Sequence, residues 1–155
     1  MRETARKYGV NKLRISGAEP TLGKDHLLSL LELIETSGFP LFIFETNGIL
    51  FGVDKKYVRE ISKFKRVYVR VSLKAGTPGA FTHKTGAISE AFEIPFKAVE
   101  NLLNYGVSFH VAAMSADPRM MDPEERIILF KRLAEIDERL LFSLEEVVDP
   151  YSTTL

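Results

Sequence analysis

Arg66-Val67-Tyr68-Val69-Arg70-Val71-Ser72-Leu73-Lys74 is the stretch on which the fold reading turns. Side chains on a strand alternate between its two faces. Val67, Val69, Val71 and Leu73 therefore share one face, and Tyr68, Arg70, Ser72 and Lys74 share the other. A parallel strand with both faces under helices reads as an unbroken apolar run. This one is apolar on one face only. Burying its arginine and lysine unpaired would cost several kcal/mol, so the polar face calls for a wet lumen or a ligand. Lys12 to Ser16 repeats the pattern, with Leu13 and Ile15 opposite Lys12, Arg14 and Ser16. One such strand fits a half-exposed sheet edge. Two, each followed by a glycine-bearing turn, predict a lumen lined by polar side chains and an outer face covered by helices.

The neighbouring segments alternate in kind. Leu27, Leu30, Leu31 and Ile34 recur at helical spacing and predict a helix over Asp25 to Glu35, ended by Gly38. Leu41 to Glu45 has the length of a short strand. Asp54 is an N-cap candidate for a helix facing inward through Val58, Ile61 and Phe64. Ala75 to about Glu93 reads as a loop with two glycine turns. Pro95 suits the first turn of a helix that turns Phe96, Val99, Leu102 and Leu103 inward and ends at Gly106. Ser108 to Met114 reads as a strand. Asp122 caps a helix with Pro123 at its first position and Glu124 and Glu125 where the helix dipole favours them. Arg139 to Leu144 reads as a last strand, followed by Glu145 and Glu146 as a solvated pair. Strand–helix alternation predicts parallel strands joined by right-handed crossovers. The expected fold is α/β, a partial (βα) barrel of about five parallel strands with helices outside, whose ligands bind at the carboxyl ends of the strands.

Arg2 to Tyr8 is polar and helix-compatible, and Gly9 breaks it. It reads as the tail of a helix, so the barrel is expected to lack its first βα unit. That leaves the edge of Lys12 to Ser16 bare, and bare edges recruit partners. Self-association, a swapped segment or a loop over the edge is expected.

The 155 residues suffice for a single domain, 1–155. With 21 basic and 21 acidic residues the chain carries no electrostatic footprint for nucleic acid or an anionic membrane. No apolar run approaches the roughly 18 residues of a membrane span, and no hydrophobic stretch follows the basic start as it would in a secretory signal. The cytoplasm is the default expectation. The chain has no cysteine, which excludes disulfides, thiolate metal sites and a self-contained iron–sulfur cluster of the usual kind.

Three strand ends carry the candidate chemistry. Ser16-Gly17-Ala18-Glu19-Pro20 closes the first strand. A glycine there lets a ligand approach the backbone, whose free carbonyls accept hydrogen bonds from an ammonium group. Glu45-Thr46-Asn47-Gly48 closes the second, with a hydroxyl and an amide suited to sugar hydroxyls. Ser72-Leu73-Lys74 closes the third. Taken singly, each is an ordinary turn or a solvated lysine. In this order, in successive βα units, they resemble the radical S-adenosylmethionine (SAM) superfamily. Within it they are most similar to the activating enzymes of glycyl-radical proteins such as pyruvate formate-lyase.

The resemblance implies a SAM site. Gly17, Ala18 and Glu19 would hold the methionyl ammonium, Thr46 and Asn47 would lie near the ribose, and Ser72 and Lys74 would contact ribose or carboxylate. His110 and Met114, on one face of a later strand, would flank the adenine or the reaction cavity. His83-Lys84-Thr85-Gly86 resembles a loop on the substrate side of the activating enzymes; a surface turn is the competing reading. The family's first motif is usually Gly-Gly-Glu-Pro, and Ala18 stands where the second glycine is expected. If that position has positive φ, alanine costs about 1 kcal/mol.

The resemblance also implies a 4Fe–4S cluster held by a Cys-x3-Cys-x2-Cys loop, which donates the electron that cleaves SAM to a 5′-deoxyadenosyl radical. This chain cannot supply those thiolates, so the cluster is expected only in a longer parent, and the chain alone is expected not to be catalytic. Three readings follow. The chain is the C-terminal part of a radical SAM enzyme acting on an unknown protein or small-molecule substrate; or it is a cluster-free module that binds SAM or a nucleotide; or it is an unrelated βα structural or interaction domain.

Overall fold

The computed structural model describes residues 7–15 and 17–148. Ser16, the stretch 1–6 expected to form most of the helix tail, and 149–155 lie outside the described residues. Five parallel strands form one open, curled sheet in sequence order: β1 (Lys12–Ile15), β2 (Leu41–Thr46), β3 (Val67–Leu73), β4 (Phe109–Ala113) and β5 (Glu145–Glu146). Helices flank it, which makes the fold the expected partial βα barrel. Among the described residues β1 pairs only with β2, so its other edge is open.

Alternation along β3 sets the two faces. Val67, Val69, Val71 and Leu73 are buried against the helices, while Tyr68, Arg70 and Ser72 on the concave side keep partial access to solvent. The register places Phe44 beside Val69 on the convex side and Glu45 beside Arg70 on the concave side.

The convex layer follows from the helix patterns. In α1 (Lys24–Ser37), Leu27, Leu31 and Ile34 are buried, and Gly38 ends the helix in the left-handed region at φ 85°. After α2 (Ile49–Val53), Asp54 caps α3 (Lys55–Ile61) by accepting from the backbone N–H of Lys56 and Tyr57. α2 was not expected. It lies so close to α5 (Glu93–Asn104) that a Cβ on Gly52 would sit 2.1 Å from the Ile94 carbonyl oxygen. Asn101 of α5 donates to the Phe51 carbonyl across this contact at 2.7 Å.

Two expectations are corrected. Ala75 to Glu93 is not simply a loop. It contains α4 (Pro78–Thr85), capped by Thr77 and ended by Gly86, and a 3-10 turn at Ser89–Phe92. Only Phe81 of α4 is buried, so no apolar period marks it. Arg139 to Leu144 is not a strand either. After α6 (Pro123–Ile136), Arg139–Phe142 forms the short helix α7, anchored by buried Leu140, and the last strand is the glutamate pair itself.

No described helix is long and apolar enough to cross a membrane.

Candidate functional site

The exit of β1 turns on two successive left-handed residues, Gly17 at φ 92° and Ala18 at φ 53°. Ala18 thus adopts the conformation that costs an alanine about 1 kcal/mol. Among the described residues, chain neighbours aside, no heavy atom lies within 4 Å of where a Gly17 Cβ would stand, so the loop backbone is approachable there.

Glu19 braces this loop. One carboxylate oxygen accepts from the Thr21 N–H at 3.2 Å and the Thr21 hydroxyl at 2.6 Å. The other accepts from the Asn47 N–H at 2.7 Å. Charge-assisted bonds of this kind are stronger than neutral ones, so Glu19 ties the exit of β1 to the exit of β2. Thr46 is buried, and its hydroxyl accepts from the Gly48 N–H at 3.1 Å. Asn47 Oδ1 accepts from the Ile49 N–H, starting α2, and among the described residues its Nδ2 has no hydrogen-bond partner. At the exit of β3, Lys74 Nζ donates to Ser72 Oγ at 3.1 Å.

The expected residues divide among three adjoining cavities. Asn47, Ser72 and Lys74 line one of about 250 Å³. Ser72 and Lys74 also line a second, of about 180 Å³, together with Met114. Gly17, Ala18 and Glu19 line a third, of about 350 Å³, against α1. The Glu19–Asn47 bond joins the third to the first. Like the buried Thr46, His110 lines none of them. It sits deeper in the sheet, in register with Arg70, with its ring 5.4 Å from that of Tyr68 and its Nε2 2.8 Å from Glu145 Oε2.

Below the strand ends the concave face is filled by its own charges. Arg14 pairs with Glu45, and Arg70 Nη1 lies 2.9 Å from the same carboxylate. Arg70 also donates through Nε and Nη2 to both oxygens of Glu145, at 2.7 and 3.1 Å. The Arg70 bond, aided by His110 and opposed by burial, holds the Glu145 carboxyl down at about 2. Glu145 and Glu146 are exposed, as expected of a solvated pair, but each is also bound to a cation. Glu146 accepts from Ser115 and, through both oxygens, from Arg126 of α6. Sequence reading missed these roles because the partners are 75 residues apart for Arg70–Glu145. The one available signal was charge on a strand face that should be covered.

Glu125 was also expected to be an ordinary first-turn acid. It is buried, accepts from the Gly76 N–H at 2.8 Å, and holds Lys84 Nζ at 2.9 Å from both oxygens. The His83–Gly86 segment is thus the end of α4, fastened to α6 through Lys84.

The fold is a parallel half-barrel with Gly17, Asn47 and Lys74 at three successive strand exits. Residues 1–116 match the family model of the Radical SAM superfamily, and the chain belongs to that superfamily. The reading as an unrelated βα domain is thereby overturned. A curated relative, the probable GTP 3′,8-cyclase of Saccharolobus solfataricus, is 27% identical over 105 residues, 68% of this chain and 32% of that protein. The chain therefore spans about a third of the length of that relative. A solved structure described as native anSMEcpe with bound AdoMet superposes with a TM-score of 0.61 at 19% identity, covering 90% of this chain and 38% of that one. At that identity the likeness is one of fold.

Proposed function

We propose that this chain supplies the SAM-binding side of a radical SAM active site whose cluster thiolates come from polypeptide outside these 155 residues. The observation that carries the reading is the linkage of the three strand exits: Glu19 grips the Asn47 amide, and Asn47 shares a cavity with Lys74. The bound AdoMet of the fold neighbour supports the choice of ligand.

The residues fit SAM. The approachable backbone at Gly17 and Ala18 accepts its methionyl ammonium, and Glu19 acts as the brace that keeps this loop in place. Thr46 and Asn47 lie toward the ribose, with Asn47 Nδ2 as the free donor. Ser72 and Lys74 take ribose or carboxylate, and Met114 flanks the adenine side. His110 serves from below, through its contact with Glu145. SAM bound beside a reduced cluster supplies hydrogen-abstraction chemistry.

The residues do not fit the cluster. The chain has no cysteine, and the described residues contain no group of three histidine, cysteine, aspartate or glutamate side chains placed to hold a metal ion. The parent's activity is hydrogen abstraction from a protein or small substrate. The order of the strand-end motifs favours a parent of the glycyl-radical activating type. The open edge of β1 is the surface through which the chain meets further polypeptide, its own or a second copy's.

Anaerobic reconstitution with iron and sulfide, followed by visible absorption, tests the proposal. This chain should gain no stable cluster absorption, and a longer version carrying the three thiolates should gain it. A stable cluster on this chain alone would refute the division of labour. If a native longer form also fails to gain one, the cluster-free SAM-binding module, which the absence of cysteine favours, replaces the proposal.

A further inference from the structure

We infer that the cavity between the exits of β2 and β3 and the helices α4 and α5 is a binding site for a small apolar carboxylate, with a body about the size of one aromatic ring. Its wall is Phe81, Phe92 and Phe96, all buried, with edge-on ring contacts at centroid distances of 6.1 and 5.1 Å. Its volume is about 250 Å³. A dry apolar cavity of about 150 Å³ already takes up benzene, so a ring with a short tail fits. These three rings offer no hydrogen bond to a polar body; the hydroxyls of the lining are those of Ser72 and Thr85, and the Thr85 hydroxyl donates to the Phe81 carbonyl.

The rim sets the charge. Lys74 is exposed, and among the described residues its ammonium is bonded only to the Ser72 hydroxyl. Two of its three donors remain for a ligand. Lys24 and Lys84, by contrast, each hold a carboxylate at 2.8–2.9 Å. Asn47 Nδ2 adds a donor on the same rim. A cation and an amide donor over an apolar pit select a molecule with an anionic head and an apolar body.

The pit is also held in shape before any ligand arrives. Thr77 caps α4, and the buried Glu125 clamps both the Gly76 amide that leads into α4 and Lys84 near its end. Preorganisation of this kind lowers the cost of binding. The inference goes beyond SAM binding and does not require it, although Asn47, Ser72 and Lys74 on the rim of the pit also belong to the proposed SAM surface.

The test is calorimetric titration of the 155-residue chain with 3-phenylpropanoate, 3-phenylpropanamide and propanoate, without any nucleoside. Phenylpropanoate should bind saturably. The neutral amide should bind at least 5-fold more weakly, and propanoate should give no measurable heat. Lys74→Met should erase the preference for the acid over the amide. Ala87→Phe, which fills the pit from its half-buried rim, should abolish binding of both while the circular dichroism melt stays cooperative. Equal binding of acid and amide to the unmodified chain, binding that survives Ala87→Phe, or no saturable binding of phenylpropanoate would each overturn the inference. Because the titration contains no nucleoside, its failure leaves the SAM reading standing; where both ligands bind, the shared Asn47 and Lys74 make them compete.

Discussion

On the convex face of the sheet, Phe44, Val69 and Val71 are closed to solvent within the apolar core; on the concave face of the same strands, Glu45 and Arg70 hold each other and two further charged partners. The first face is held by burial, at roughly 1.5–3 kcal/mol per aliphatic or aromatic side chain. The second is held by ion pairs that solvent partly screens, and each is worth far less. The comparison teaches where the stability resides. The helix side determines whether the chain folds, and the lumen side can be spent on a ligand.

Substitutions on the two faces should differ accordingly. Phe44→Ala, on the convex face and packed edge-on against Phe51, is expected to cost about 3–5 kcal/mol in chemical denaturation. A loss near 1 kcal/mol would mean that the convex core is not closely packed. Arg70→Met, its counterpart on the concave face, should cost about 1–2 kcal/mol, because the stranded Glu45 and Glu145 can still reach water.

The same pair gives a pH signature. Arg70, with His110, lowers the Glu145 carboxyl from its ordinary 4.5 to about 2 in the folded chain. Between those values the unfolded chain binds more protons at this position, so falling pH favours unfolding. The contribution is complete above about pH 4.5 and is lost as pH falls through 2. Glu145 is nearly half exposed, so screening limits it to on the order of 1 kcal/mol. Glu145→Gln should flatten the stability profile in this window, and an unchanged acid slope would remove Glu145 from the account. The smallest effect is expected at the β1 exit. Ala18→Gly should stabilise the chain by about 1 kcal/mol or slightly less, by relieving the left-handed alanine.

The convex face was the legible one. Period-two alternation gave β3, helical spacing gave α1 and α5, and Asp122-Pro123 gave the start of α6. What escaped were elements too short to show a period. α2 has five residues with a glycine inside, and α7 has four. β5 is two glutamates, whose strand character comes from pairing with Ala112 and Ala113 rather than from propensity. At the site, the strand-end motifs lie at three successive strand exits, but they did not disclose the partners of their side chains. That Glu19 would spend its carboxylate on Thr21 and Asn47 depends on how close β1 and β2 come, and no local pattern encodes that distance.

The central claim is that the three strand exits form one surface for an adenosyl amino acid. The most direct measurement is titration of the ¹⁵N-labelled chain with S-adenosylhomocysteine, following backbone amide shifts. The account predicts saturable shifts that share one dissociation constant at Gly17, Asn47, Ser72 and Lys74, with Val67 and Val69 on the convex face unmoved. No saturable binding, or shifts confined to residues away from these exits, would contradict it.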